Sequence, residues 1–424
     1  MSDASPCLSP TPKPDATPCL SPTPKPGATP LSSPAPMSDA PSLSIVIPVY
    51  NVKEYLPKCM DSLLRTPGIS KTEILLIDDG STDGSSELVD EYAGGSTATG
   101  ANGSPSTATN GSPSTVTNGS PSTAINGSPS SVNNDDAGTS PGLVQNDDAG
   151  SSAFSGKSTE PRPLIRAIHK ANAGPAAARN TGIHEAAGTY IFFCDSDDEI
   201  EPVLFTRIIE MSETTEDEIL LWDADLLIET GHFRRLQKKR KAGYYAHAGL
   251  PKIERTYSGR ALLEGLLRDG GGFVATVWLG AYRREFLIRN GLLFSEGLIH
   301  EDEFWIPKVY LHSKTVHYVP QKIYKYRMHK GSIMHPVTRD RSDHVASLMK
   351  IYPSLYTYYE EVLAGDPLLP LIEGNLTTRY LHMIYKFHIV KYGYGKAIDK
   401  KLLWRTSRRL REKIMVLGLY VYAH

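Results

Sequence analysis

One nine-residue stretch limits what this chain can fold into: Tyr190-Ile191-Phe192-Phe193-Cys194-Asp195-Ser196-Asp197-Asp198. Its first five residues, rich in aromatic and β-branched types, read as a buried strand, and three carboxylates crowd its exit. A parallel α/β sheet binds its ligand just beyond the carboxyl ends of its strands, so a strand running into acids marks a site. In extended chain Asp195 and Asp197 project from the same side, because side chains alternate with a period of two. Two carboxylates so placed repel each other unless a cation lies between them. Oxygen-only ligands suit a hard ion, Mn²⁺ or Mg²⁺, which keeps positions open for water and a diphosphate. The same acids can instead cap the next helix. The flanking stretches decide for the site.

Only part of the 424 residues has the composition of a core. Residues 1–42 and about 93–162 are mostly Pro, Ser, Thr, Gly and Asn, with too few large apolar groups to bury, and are expected to be disordered. The first is a Pro-rich repeat: Cys7-Leu8-Ser9-Pro10 recurs at Cys19-Leu20-Ser21-Pro22. The second repeats Asn-Gly-Ser-Pro-Ser from Asn102, Asn110, Asn118 and Asn126. A formal net charge of -2 implies no nucleic-acid partner. The four cysteines have no disulfide or zinc spacing. With neither a signal peptide nor an apolar run long enough to span a bilayer, a cytoplasmic protein is expected.

The remainder alternates strand and helix. Residues 43–51 read as a strand ending in a turn, and apolar residues from Tyr55 to Leu64 at helical spacing follow. Residues 73–79 form a second strand that ends in acids, then a Gly-Ser turn and a helix over 86–92. Strand–helix–strand–helix at this spacing is a right-handed parallel unit. The first turn lacks Gly-x-Gly-x-x-Gly, which argues against a dehydrogenase. The repeat insert joins a helix end to the next strand, the edge of the sheet opposite the ligand crevice. A strand resumes at 164–168, and a glycine turn leads into an alanine-rich helix whose small residues allow close backbone approach. On that helix Arg179 either faces a phosphate, the reading preferred for an arginine near the acids, or pairs with an acid.

Four motifs now stand in order: Pro48-Val49-Tyr50-Asn51, Asp78-Asp79-Gly80-Ser81-Thr82-Asp83, Asn172-x-Gly174 with Ala178-Arg179-Asn180-x-Gly182, and Asp195-Ser196-Asp197-Asp198. Together they resemble family 2 glycosyltransferases with the GT-A fold, over about residues 43–205 without the insert and more weakly to about 335. The resemblance implies an α/β, Rossmann-like, mostly parallel sheet flanked by helices. The GT-A domain would span 43–335, with a nucleotide-binding half (43–205) and an acceptor half (206–335), followed by a helical region over 336–424. It places Pro48, Tyr50 and Asp79 around the base of a nucleotide-sugar. Asp195 and Asp197 would hold ribose and a Mn²⁺ or Mg²⁺ ion on the diphosphate.

A second chemical stretch is His300-Glu301-Asp302-Glu303-Phe304-Trp305. Transfer needs a base to take the proton of the acceptor hydroxyl, and the resemblance gives that role to Asp302. The same acids also suit a helix start over 304–310. Residues 323–333 match the family's closing segment, from which Arg327 or His329 can reach the diphosphate or its metal. Residues 219–225 read as a strand, 232–241 as a basic loop, 260–267 as a helix and 270–272 as a hinge or turn. From Ser342 the chain is helical, with Tyr352, Tyr356, Tyr358 and Tyr359 as packing residues. A basic-then-apolar end, Arg405 to Tyr422, suits either an interfacial helix at the inner face of a membrane or a terminal helix docked on the core.

The function expected is metal-dependent, inverting transfer from a nucleotide-sugar donor, a UDP-sugar first, to a glycan or lipid-linked acceptor. The rivals are a non-catalytic nucleotide-sugar or glycan-binding module, against which the acid pair 301–302 argues, and a nucleotidyltransferase, which would need a glycine-rich basic loop after the first strand.

Overall fold

Leu43–Val49 (β1), Thr72–Asp78 (β2) and Tyr190–Phe193 (β4) are nearly continuous apolar runs, and their residues are almost entirely shielded from solvent. Such runs belong in parallel strands covered by helices on both faces. The computed structural model describes residues 40–94, 162–228, 245–268, 272–329 and 341–422. Nearly all of the repeats at 1–42 and 93–162 lies outside the described residues, as do the basic segment 232–241 and most of the glycine turn at 270–272.

β1 pairs in parallel with β2 on one side and β4 on the other, and β2 pairs in parallel with Leu164–His169 (β3). The order β3-β2-β1-β4 puts a change of direction between β1 and β4, the place past the strand ends where such sheets bind ligands. Helices Leu56–Leu64 (α1), Ser85–Tyr92 (α2) and Pro175–Glu185 (α3) make the crossovers. α2 ends just before the repeat insert, and the edge strand β3 begins just after it.

Beyond β4 the sheet is mixed. Ile219–Ile228 (β6) and Gly280–Arg283 (β8) pair antiparallel, β8 pairs antiparallel with β4, and β6 pairs in parallel with Val316–Met328 (β9). The two-residue strand Glu199–Ile200 (β5) and Arg255–Tyr257 (β7) both pair antiparallel with β9. The segment over 323–333 that matches the family's closing segment is, up to Met328, part of a thirteen-residue strand in the sheet. Its buried residues, among them Tyr318, Val319, Ile323 and Tyr324, and pairing with β5, β6 and β7 hold it there.

Two devices fix the half that carries the site. At the start of the sheet the fully buried carboxylate of Glu73 accepts from the Ser44 hydroxyl (2.5 Å) and the Ala187 N–H (2.5 Å), tying β1, β2 and the entry to β4 together. On α3 the small residues bring the helix against β1. A Cβ at Gly182 would sit 2.2 Å from Val46 Cγ1, so only glycine lets the helix approach this closely.

Pro202–Thr214 (α4), Gly259–Leu267 (α5), Arg284–Arg289 (α6) and Glu301–His312 (α7) alternate with the later strands. The C-terminal part is helical: Ser342–Val362 (α8), Leu369–Lys386 (α9), Lys400–Thr406 (α10) and Leu410–Tyr422 (α11). Tyr352, Tyr356 and Tyr359 are buried, as packing residues should be, and Tyr352 stacks on Tyr380 at 4.7 Å. Arg379 of α9 reaches Glu303 of α7 and donates to the Phe273 carbonyl (2.6 Å), so these helices pack directly on the acid-bearing one. Among the described residues no helix is long and apolar enough to cross a membrane.

Gly182→Ala should destabilise the protein by about 1–3 kcal/mol through overpacking. Urea denaturation measures it, with Gly291→Ala, which meets no atom within 4 Å but has φ +61°, separating clash from backbone strain.

Candidate active site

The first two strand exits are sewn together by short polar side chains. Asn51, in the left-handed region at φ 51°, donates its N–H to the Ser81 hydroxyl (3.1 Å) and accepts the Thr82 N–H on its side chain (2.8 Å). The Val52 N–H donates to Ser85 Oγ (2.9 Å) and the Lys53 N–H to Asp83 (3.0 Å). Pro48 is the penultimate residue of β1. Tyr50, the first residue past β1, is 51% exposed.

Asp79 is buried and fully engaged. It accepts from Lys170 Nζ (2.5 Å), the Ala173 N–H (3.0 Å) and the Gly174 N–H (2.7 Å), so it fixes the glycine turn before α3. Lys170 lacked a signal in the sequence, because its partner lies ninety-one positions away. Asp78 caps its own turn through the Ser81 N–H and pairs with His169 across to β3.

The acidic stretch leaves β4 earlier than an extended reading requires. β4 ends at Phe193, and the Asp198 N–H donates to the Asp195 carbonyl (3.1 Å), closing a turn over 195–198. Asp195 and Asp197 are therefore neighbours by a turn and not by strand alternation. Nor do the acids cap the next helix, since α4 has Glu201 at its N-cap position with no side-chain cap bond.

The turn is held from β9. Asp198, fully buried, accepts from the Tyr324 hydroxyl (2.6 Å) and the Arg327 N–H (2.6 Å). Burial first, then the charges of Asp197 and Asp195, push its carboxyl well above the usual range. The same Tyr324 hydroxyl accepts the Asp195 N–H (3.1 Å). Arg327 donates Nε–H to the Asp197 carbonyl (2.8 Å) and pairs with Glu199. His329 Nε2 lies 2.8 Å from Asp197 Oδ2, with its ring 4.1 Å from that of Tyr55. Arg327, expected on a diphosphate, is instead buried beneath the turn and shapes it. Asp198 and Tyr324 were missed as its supports; only the third acid hinted at them.

Arg179 decides between its two readings. Its guanidinium lies between two carboxylates, donating to Asp195 Oδ1 (2.8 Å) and to Glu301, and stacks 5.6 Å from the Phe294 ring centre. Burial opposes its charge, but Asp195 and Glu301 more than offset this and raise its pKa. It pairs with acids rather than facing a phosphate. The next residue, Asn180, accepts the Phe294 N–H (2.8 Å) and donates to its carbonyl (3.0 Å), fixing the loop that leads to α7.

α7 begins under strain. His300 adopts φ 70°, a left-handed conformation that a non-glycine residue holds only when its surroundings impose it. Its Nε2 meets His344 Nδ1 of α8 at 3.0 Å, and burial lowers its pKa to about 4. Glu301 then turns to Arg179 and Glu303 to Arg379, in opposite directions. Asp302 between them accepts the Glu303 N–H (2.8 Å). Burial, then the charges of Glu301 and Glu303, push the Asp302 carboxyl well above its ordinary range against the opposing pull of Arg179.

The structure therefore gathers Asp195, Asp197, Arg179, Glu301 and Asp302 at one end of the sheet, beside the exits bearing Tyr50 and Asp79. Among the described residues no three His, Cys, Asp or Glu side chains converge as a ready metal cage. A mixed sheet with this switch point, an acidic turn and a second acid pair is the architecture of the GT-A fold. The model of glycosyl transferase family 2 matches residues 44–99 and 157–221. The chain is 25% identical over 291 residues to the Escherichia coli glycosyltransferase YibD, covering 68% of this chain and 62% of YibD. It is 26% identical over 292 residues to Streptococcus pneumoniae glycosyltransferase GlyA, covering 68% of this chain but 31% of GlyA. The crystal structures of S. aureus TarS 1–349 in complex with UDP-GlcNAc and with UDP share the fold. Their TM-scores are 0.51 and 0.52, at 16% and 13% identity, over 90% of this chain and 81% and 87% of those chains.

Tyr324→Phe should leave buried Asp198 and the Asp195 N–H each short of a partner. A loss of about 1–3 kcal/mol per unsatisfied group is expected in chemical denaturation, with wild-type stability excluding the support assigned to this hydroxyl.

Proposed function

We propose that this glycosyltransferase moves a sugar from a nucleotide-diphosphate donor, in the first instance a UDP-sugar, to a hydroxyl of a glycan or lipid-linked acceptor, with inversion. One observation carries the reading: the Arg179 guanidinium joins Asp195 of the β4 exit to Glu301, the neighbour of Asp302. Donor-side and acceptor-side acids thereby face one crevice. UDP as the nucleotide is supported by the UDP-GlcNAc and UDP complexes of TarS, which share only the fold.

In this reading Tyr50 and Pro48 border the nucleoside, and Asp79 sets the base site through the Ala173–Gly174 backbone it holds. Asp195 and Asp197 fit Mn²⁺ or Mg²⁺. Both side chains are part-exposed at the crevice, and each has a second oxygen beyond the one given to Arg179 or His329. A hard cation needs only one or two carboxylates besides substrate phosphates. Such an ion, when bound, supplies Lewis-acid charge to a departing diphosphate. Arg327 acts by holding the turn and not by touching phosphate.

Asp302 accepts the proton of the acceptor hydroxyl as that oxygen attacks the anomeric carbon. Glu301 is neutralised by Arg179 and Glu303 by Arg379, which leaves Asp302 as the member of the triplet without an ion-pair partner among the described residues. Its raised pKa makes it a stronger base than an ordinary aspartate. A single base opposite the leaving diphosphate gives inversion without a covalent intermediate.

Asp302→Asn should lower transfer from a UDP-sugar panel by about 10²–10⁴-fold and leave UDP affinity unchanged in calorimetry with Mn²⁺. Asp197→Asn should instead abolish the manganese-dependent part of UDP binding. Turnover retained by Asp302→Asn would remove Asp302 from the mechanism, and donor binding without any transfer or hydrolysis would favour a binding module.

The base must be ionised to work, so a raised pKa moves the acid limb of activity to higher pH. The kcat/KM profile should fall on acidification with a midpoint above the ordinary aspartate value of about 4. An acid limb at or below that value contradicts the assignment.

A further inference from the structure

We propose that α11 seats this protein on an anionic lipid surface, lying in the plane of the interface. The helix has two faces. Its inner one is docked: Val416 and Leu419 are buried, and Glu412 accepts from the Thr378 hydroxyl (2.6 Å) and the Arg408 and Arg409 N–H groups (2.9 and 3.0 Å). The Tyr385 hydroxyl adds a bond to the Met415 carbonyl (2.7 Å). These contacts hold α11 on α9 and α10 and orient it.

The outer face is apolar. Leu410, Ile414, Leu417 and Val421 are 75%, 59%, 51% and 71% exposed, and their spacing of four, three and four residues puts them in one stripe. Large side chains on this spacing normally face a core. Here the helix has already docked through its opposite face.

Charge identifies what covers the stripe. On a helical projection Arg411 borders it on one side and Lys413 with Tyr420 on the other. Arg408 and Arg409 stand at the helix start, and Lys413 Nζ lies 4.6 Å over the ring of part-exposed Trp404 on α10. The only acid in α11 is Glu412, which is turned inward. A second copy of this face would bring cation against cation. Anionic headgroups complement it, and Trp and Tyr rings suit the boundary between headgroup and hydrocarbon. Thirteen residues span about 20 Å, short of the roughly 30 Å of a bilayer core, so the helix lies along the surface. The docking expected as one reading of this end is observed, and it leaves the opposite side of the helix outward, where the other reading places an interface. The inference does not depend on the transfer chemistry.

The test is flotation of the full chain with vesicles of phosphatidylcholine alone or with one third phosphatidylglycerol. Binding to the anionic vesicles that weakens with salt is expected. Arg411→Ser with Lys413→Ser should weaken it by about tenfold or more. Ile414→Glu with Leu417→Glu should abolish it while leaving the melting temperature unchanged, since both side chains already face outward. Equal binding to both vesicle types, or wild-type binding by the Ile414→Glu, Leu417→Glu variant, overturns the proposal. So does failure to bind vesicles together with a concentration-dependent dimer in sedimentation velocity that this variant abolishes, which would assign the face to a second copy.

Discussion

A buried guanidinium between two carboxylates is the contact on which the rest of this structure turns. Arg179 is placed by α3, which lies close against β1 because Gly182 has no side chain there. From that position it reaches Asp195 at the end of β4 and Glu301 at the start of α7. Removing a partner from such a group leaves an unpaired buried charge, which is far more costly than the pair itself is favourable. The requirement to keep all three together therefore locks the exit of a parallel strand to the first turn of a helix over a hundred residues later.

Around that contact the acids divide into structural and exposed ones. Asp198 and Glu303 are turned inward, to Tyr324 with the Arg327 backbone and to Arg379. Asp195 and Glu301 share Arg179. Asp197 lies beside His329, and Asp302 accepts its own helix's Glu303 N–H and has no ion-pair partner among the described residues. Burial alone would protonate several of these carboxylates, and the arrangement of cations determines which can remain charged. A row of acids in sequence thus becomes a set of distinct environments.

The C-terminal helices take part in the same arrangement. Arg379 carries their packing directly to Glu303, one residue from Asp302, so they support the acidic helix as well as extend the protein. α11 then directs its remaining apolar side away from that support. Docking and an outward apolar stripe are compatible because a helix has more than one face.

Much of this was legible in the chain. Apolar runs ending in acids announced parallel strands with a ligand crevice, and four motifs in register resembled one family. Residues 342 onward were helical, and small residues near Gly182 meant close approach. Those features are local, fixed by side-chain size and by periods of two or 3.6 residues. Tertiary structure alone decided the partner of Arg179, the burial of Arg327, the turn that joins Asp195 to Asp197, and the passage of residues 316–328 into the sheet. Each depends on groups brought together from distant parts of the chain, and an arginine reads the same in sequence whether its charge meets a phosphate or a carboxylate.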